Sequence, residues 1–449
     1  MASFADFVRK RRGAPDPPQP TPATRALPSV PAQPQAVPAP PKVLLVTTAN
    51  LFTYDGSGRT VDMTKRPTGG LTLTHALTRH VHALGGSIVA VDFVRDDYDV
   101  AERRWEGIPI KCVRLGAPMH LSADVVVTTS LALDVVMWAA AHCSGTFCAM
   151  CHDYSGAPWG PFGHVDAKQR APLRDALAGW NLLCDSKHVT AYHERFGPAN
   201  VTPRLCYGAC YGYFRAPPLY QHAVAAEYVT LISPCAPKGL SILAAIAPRL
   251  PDVRFLCVAT AWTNAVVQHI LKRFPNVVVE AGAPDVDVFY RRTKVLLVPS
   301  IWPEAFGLVA TEAAARGIPV VSTDFGGLAE ANPVERLRLP TRWFYDHAAF
   351  ELLRCHLDDA MERPQAEPPA DVLDSSGDER RERVAKHLFH CLLHVAPKDV
   401  ADAFVETLTR LLADDAFYAD AARDSREGAM AFIERNDGTF VGVVKGVLL

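Results

Sequence analysis

The sequence predicts an α/β protein built on two parallel sheets, each wrapped by helices, and three observations carry that prediction. From Lys42 onward, short apolar runs alternate with helix-like segments, the pattern of parallel strands joined by helical crossovers. The runs are apolar at consecutive positions, as strands buried on both faces require. The alternation breaks around Tyr213 to Gln221 and then starts afresh.

In the first half, strands are expected over Val43 to Thr48, Ser87 to Val94, Asp124 to Thr129, Thr146 to Cys151 and Leu182 to Asp185. Leu73, Leu77, Val81 and Leu84 recur at steps of four, four and three, which predicts a helix facing the sheet and ending at Gly85-Gly86. His75, Arg79 and His82 fall opposite that stripe and read as a solvated face. The second half repeats the scheme with strands over Tyr228 to Ile232, Val253 to Val258, Val277 to Glu280, Val295 to Pro299 and Pro319 to Ser322. Two Rossmann-like domains facing each other across a cleft are therefore expected, 42–220 and 221–449. Ligands of such sheets bind outside the carboxyl ends of the strands. Within the second domain, Glu362 to Arg383 is charged and proline-rich and reads as an inserted loop near 362–383. Val405, Leu408, Leu411 and Leu412 then mark an amphipathic helix, with a further short helix or two toward Leu449.

The chain has 36 prolines in 449 residues, and 11 of them fall between Pro15 and Pro41. That stretch has too little apolar surface to offset its ordering entropy, so residues 1–41 are expected to form a disordered, partly polyproline-II arm. Lys and Arg total 46 against 48 Asp and Glu, a formal charge of −2. No global basic field exists to attract nucleic acid or an anionic membrane. The longest apolar run, Val125 to Cys143, is interrupted by Asp134, so no transmembrane segment is expected. No strongly basic amphipathic helix stands out, and peripheral membrane association is left open. The basic cluster Arg9 to Arg12 has no apolar core after it, which speaks against a secretory signal and leaves an organelle transit peptide open. Most of the 11 cysteines lie inside apolar runs, as expected of buried reduced thiols in a cytoplasmic protein.

The most informative stretch runs from Lys294 to Glu330. A buried strand leads into a loop with Pro299 and Pro303, and an alanine-rich helix starts near Gly307, stops at Gly317 and precedes Pro319 and another strand. The first turn of a helix offers N–H groups and partial positive charge to a phosphate. Glu304 lies before that turn and Glu312 inside the helix, so the two can meet different parts of one elongated ligand. Carboxylates repel a diphosphate; they suit the hydroxyls of a sugar on one side and of a ribose on the other.

Here the chain resembles the retaining glycosyltransferases of the GT-B fold known as glycosyl transferases group 1. Their fingerprint is met in order by Pro299-Ser300, Glu304-Ala305-Phe306-Gly307, Glu312 eight residues after Glu304, Gly317-Ile318-Pro319 and Gly326-Gly327. The resemblance implies that Glu304 holds the donor sugar, that Glu312 holds the nucleotide ribose, and that backbone N–H groups from Phe306 through Gly307 and Leu308 to Val309 bind the diphosphate. Lys238, in Pro237-Lys238-Gly239, resembles the family's diphosphate lysine. The family usually has an arginine five residues earlier; Ser233 stands there, so one phosphate cation is missing or is supplied by another side chain such as Arg66. Gly70, in the Gly69-Gly70 pair with Lys65 and Arg66 nearby, matches the glycines that approach the donor phosphate or acceptor. His152, at the end of its strand beside Asp153, matches a histidine near the donor sugar.

Two other patterns carry less. Cys148-Ala-Met-Cys151-His152 spells a haem-attachment string, but alternate strand residues point to opposite faces, so neither haem nor a zinc site with Cys143 is expected. Asp285-Val-Asp287 resembles the acidic metal motif of a different glycosyltransferase fold, and Asp285 reads more simply as a helix cap. The resemblance thus implies a hexosyltransferase that moves a sugar from a nucleotide diphosphate sugar to an unidentified acceptor with retention, without metal or cofactor. Alternatives are a GT-B sugar-nucleotide epimerase or phosphorylase, or a non-catalytic binding protein.

Overall fold

The computed structural model describes residues 41–52, 69–93, 98–152, 154, 157–160, 167–207, 217–220, 226–235, 237–260, 263, 265–283, 285–341 and 396–448. The proline-rich arm before Pro41, Arg66, Asp153 and the charged insertion near 362–383 lie outside the described residues.

The first sheet contains β1 (Val43–Thr48), β2 (Ser87–Asp92), β3 (Val100–Trp105), β4 (Ile108–Arg114), β5 (Leu121–Thr128), β6 (Cys143–Cys151), β7 (Asn181–Cys184) and β8 (Thr202–Leu205). Their order across the sheet is β3-β4-β2-β1-β5-β6-β7-β8. All neighbours are parallel except the β3/β4 hairpin. Helices α1 (Gly69–Ala83), α2 (Leu133–His142), α3 (Ala167–Ala176) and α4 (Lys187–Phe196) connect the strands. Consecutive residues of β1 feed opposite cores, Leu45 on one face and Leu44 with Val46 on the other, which is why the strand reads as one unbroken apolar run.

The second sheet contains β9 (Tyr228–Ile232), β10 (Arg254–Ala259), β11 (Val277–Ala281), β12 (Thr293–Val298), β13 (Val320–Thr323) and β14 (Arg338–Leu339), in the order β11-β10-β9-β12-β13-β14. Every pairing is parallel. Its crossovers are α5 (Leu240–Ile246), α6 (Ala265–Leu271), α7 (Asp287–Tyr290), α8 (Leu308–Ala314) and α9 (Leu328–Ala331). Both sheets reverse their strand order beside the first strand, at β1/β5 and at β9/β12, which is where open parallel sheets form ligand crevices.

Three helices end the chain: α10 (Lys398–Ala413), α11 (Asp415–Asn436) and α12 (Thr439–Gly446). The first buries Phe404, Leu408 and Leu411 with the second sheet's core, whereas α12 returns to the first sheet and buries Phe440 and Val444 there.

On α1, Leu73, Leu77 and Val81 are buried as their spacing predicts, each contributing about 1.5–3 kcal/mol of apolar burial. Leu84 is 37% exposed, because the helix has already ended. On the opposite side of α1, Arg79 and His82 are exposed as a solvated face requires, and His75 is the correction, being half-buried. Arg79 binds both carboxylate oxygens of Glu106 at 2.8 Å, and its guanidinium lies 4.8 Å from the Trp105 ring. His75 donates from Nε2 to the Leu51 carbonyl at 2.8 Å and packs 4.5 Å from Trp105, and burial holds its pKa below the usual histidine value. The cause is the β3/β4 hairpin, which sequence periodicity did not reveal. Its two-residue turn has positive φ at both Glu106 and Gly107, the backbone that matches strand twist in tight hairpins.

Candidate active site

Both switch points present their functional residues on the loops after the strands. In the first sheet, β6 ends at Cys151 and His152 follows it. Its Nδ1 donates to Asp185 Oδ2 at 2.9 Å, and Asp185, just past β7, is 2% exposed. A buried carboxylate on Nδ1 fixes the tautomer and the orientation of the ring. Gly70 lies against this histidine, since a Cβ built on it would sit 3.9 Å from His152 Cδ2. A Cβ on Gly69 would meet Leu308 Cδ1 of the second sheet's α8 at 3.5 Å. Leu308 packs against the cores of both sheets, so the start of α1, His152 and the start of α8 converge on one place.

In the second sheet, β9 leads to Lys238 and β12 to Glu304. Lys238 Nζ lies 2.6 Å from both carboxylate oxygens of Glu304, and Ser300 Oγ donates to Glu304 Oε1 at 2.6 Å. Glu304 is 7% exposed, so its charge is compensated by these three hydrogen bonds. Gly307 is the N-cap of α8 with φ 99°, and a Cβ there would meet Leu328 Cδ2 at 2.5 Å. Glycine is therefore required by both backbone angle and space. Phe306 is a packing residue, its ring 5.5 Å from Phe432 and 6.0 Å from Tyr207.

Glu312 points inward. Its Oε2 accepts from the Tyr290 hydroxyl at 2.7 Å, and burial pushes its pKa up against the opposing pull of that hydrogen bond and of Arg316. Arg316 in turn donates to Asp287 Oδ1 at 2.6 Å and to the Glu312 carbonyl. Asp285 accepts the Asp287 backbone N–H at 2.9 Å, a turn one residue ahead of α7, whose N-cap is Val286 and not Asp285 as its sequence position suggests. Ser233, at the family's arginine position, has φ 62° and shares a 2.6 Å hydrogen bond with Thr260 Oγ1.

Sequence reasoning missed Asp185, Tyr290, Tyr207 and Glu330, and it placed Ser300 in the fingerprint without its bond to Glu304. Asp185 and Ser300 carry the generic signal of a polar residue just past a buried parallel strand. Tyr290 and Tyr207 carry none, because their partners are distant in sequence. A cluster of Cys151, Cys184 and His193 places three ligand atoms within 4.8 Å of one another. Trp159 Nε1 donates to His193 Nδ1 at 2.9 Å, which puts the imidazole proton on Nε2. The two thiols donate to the carbonyls of Ala149 and Leu182. This donor set fits a hydrogen-bonded core better than a cation. Among the described residues all eight cysteines are buried, and no helix is long and apolar enough to cross a membrane.

Two parallel-sheet lobes with these strand orders have the architecture of the GT-B fold. Within the chain, residues 261–364 match the family described as Glycosyl transferases group 1, a segment that holds the entire Pro299 to Gly327 fingerprint. Anabaena HepE in complex with UDP and glucose superposes with a TM-score of 0.57 at 13% identity, covering 90% of this chain and 100% of that one. A second complex of HepE, with UDP-glucose, gives 0.54 at 14% identity with the same coverage. The E. coli trehalose-6-phosphate structure bound with UDP-2-fluoro glucose gives 0.51 at 12% identity, covering 90% and 99%. No curated protein matches the chain in sequence.

Proposed function

We propose that the protein is a retaining glycosyltransferase that takes a sugar from a UDP-sugar and places it on an acceptor bound by the first sheet. The observation that carries this reading is the convergence of Gly70 and His152 with Gly307 and Leu308, beside the Lys238–Glu304 pair. The choice of uridine rests on the UDP ligands of the similarly folded HepE complexes.

In the proposed step, the C1–O bond to the diphosphate breaks as the acceptor oxygen bonds C1 from the same face. The acceptor's proton passes to a β-phosphate oxygen of the departing UDP. Lys238 and the N–H groups from Phe306 through Val309 stabilise the charge growing on that phosphate. Glu304 orients sugar hydroxyls, Glu312 accepts from ribose hydroxyls, and His152, held by Asp185, donates from its outer nitrogen to the sugar. No step in this scheme calls for a metal or a cofactor. Cysteines buried inside apolar runs suit a reducing compartment, and we place the protein in the cytoplasm.

The test is UDP release from a panel of UDP-sugars with and without candidate acceptors. Turnover that needs an acceptor supports the transferase; product without an acceptor points to an epimerase, and a strict need for inorganic phosphate points to a phosphorylase. Ser233 in place of the arginine favours one further reading, a binding protein that retains the donor site. UDP-sugar binding without turnover by any acceptor would select it.

A further inference from the structure

Glu330 has no part in the donor scheme above, yet its carboxylate crosses from the second sheet to the first. Oε2 accepts the backbone N–H of Lys187 and Oε1 that of His188, each at 3.3 Å, and Oε2 also accepts the Tyr207 hydroxyl at 2.6 Å. Lys187 and His188 open α4, whose own N-cap side chain, the Ser186 hydroxyl, accepts from Val189 farther in. The first N–H groups of a helix need partners and favour a negative charge. Here that charge comes from the opposite lobe.

Each end of this contact leads to a residue of the candidate active site. On the first sheet, Ser186 directly follows Asp185, the carboxylate that holds His152 Nδ1 at 2.9 Å. On the second, Glu330 stands on α9, which begins directly after Gly326 and Gly327. The Gly327 N–H donates to the Glu304 carbonyl at 2.6 Å, and Gly326 forms a parallel bridge with Glu304. The two backbones approach so closely that a Cβ on Gly327 would lie 2.3 Å from the Ala305 oxygen. Glu304 therefore cannot shift without α9, nor His152 without the start of α4. Tyr207 anchors the same point, with its buried ring against Phe432 at 4.9 Å.

We propose that Glu330 is a positioning residue that sets the separation of His152 and Glu304 across the cleft by clasping the start of α4. The proposal rests on the glycosyltransferase reading for its kinetic consequence, but the clasp itself is a property of the fold. It predicts an asymmetry. UDP would be held by Lys238, Glu312 and the start of α8, all on the second sheet, so loss of the clasp leaves UDP affinity intact. Transfer requires both sheets in register, and misplacement of reacting groups by ~1 Å costs on the order of 100-fold in rate.

The experiment compares Glu330→Gln and Tyr207→Phe with the wild-type full chain. In Glu330→Gln the amide keeps the size but sets N–H against N–H at α4; Tyr207→Phe removes one donor and keeps the ring packing. Three quantities are measured: UDP affinity by calorimetry, kcat for UDP-sugar turnover, and the radius of gyration by small-angle scattering without ligand. The expected result is a kcat lowered tenfold to 100-fold in Glu330→Gln and less in Tyr207→Phe, with UDP affinity unchanged and a larger radius of gyration for Glu330→Gln. An unchanged kcat, or a fall in kcat matched by an equal loss of UDP affinity, overturns the proposal. If the wild type turns over no UDP-sugar, the function reading fails by itself, and the radius of gyration alone then decides the clasp.

Discussion

Lys238 Nζ lies 2.6 Å from both carboxylate oxygens of Glu304, so the cation assigned to the diphosphate and the anion assigned to the sugar neutralise each other. A lysine has three N–H donors, and the third can meet a phosphate while the pair persists. The pair would thus hold the diphosphate end and the sugar end of one donor at a fixed spacing.

Removing one partner tests this. Lys238→Met leaves Glu304, 7% exposed, with Ser300 as its neutral donor. Full burial of an unpaired charge costs about 3–5 kcal/mol; the lysine side chain here is 35% exposed, so a loss of about 1–2 kcal/mol by chemical denaturation is expected. Turnover should fall on the order of 100- to 1,000-fold, as on loss of one donor to a developing oxyanion. Adding Glu304→Gln should restore part of the stability and none of the rate. Additive stability losses would show that the two residues are not coupled.

Glu312 carries a pH dependence. Burial raises its pKa, and the Tyr290 hydroxyl, 2.7 Å away, works in the opposite direction by stabilising the carboxylate. The folded protein therefore binds this proton more tightly than the unfolded chain does. The glutamate's contribution to stability is present below its unfolded pKa and is lost as pH rises through the folded value. For UDP the charged form is needed, as an acceptor for ribose hydroxyls. Tyr290→Phe removes the hydrogen bond and pushes Glu312 further up, so UDP affinity should drop about fivefold to tenfold near neutral pH. The deficit should shrink as the solution is made more alkaline. Calorimetric titrations across pH would detect it, and a pH-independent deficit would exclude Glu312 as its source.

The fold was legible wherever a strand is buried on both faces. Val43–Thr48 and Tyr228–Ile232 emerge with the bounds read from their apolar runs. The β3/β4 hairpin was not legible, because Val100–Trp105 alternates exposed charges with half-buried positions at the sheet edge. Strand β8 likewise has no fully buried residue and contains Pro203, an unpromising strand signal. At the site, Glu304, Gly307 and Glu312 were legible as a local string with fixed spacing, and Lys238 from the separate Pro237-Lys238-Gly239. Tyr290 and Glu330 were not, because their roles lie in contacts 22 residues apart, to Glu312, and 142 or more apart, to the start of α4 and its neighbour Lys187. No periodicity records those distances.

Asp185→Asn addresses the first sheet. The asparagine keeps the size of the carboxylate that accepts from His152 Nδ1 at 2.9 Å but can present an amide to the ring instead. The imidazole then adopts the other tautomer and its outer nitrogen loses the proton it would donate to a sugar hydroxyl. Turnover should fall at least tenfold while UDP affinity stays at the wild-type value, since Asp185 touches none of Lys238, Glu312 and the start of α8, the groups that hold UDP in the proposed scheme. Parallel calorimetry and initial rates check both halves. Equal losses in the two would mean that Asp185 acts through folding and not through His152.

Gly307→Ala separates backbone from side-chain chemistry at the start of α8. The residue sits at φ 99°, ψ 54°, and the new methyl would meet Leu328 Cδ2 at 2.5 Å. A left-handed alanine costs about 1–2 kcal/mol before any clash, and Leu328, fully buried on α9, can yield only by moving that helix. Since the N–H groups after Gly307 are assigned to the diphosphate, the shift should weaken UDP more than uridine, which lacks it. A UDP-to-uridine affinity ratio that falls at least fivefold in Gly307→Ala would support the backbone assignment. A ratio equal to that of the wild type, with both ligands weakened alike, would place the diphosphate elsewhere in the cleft.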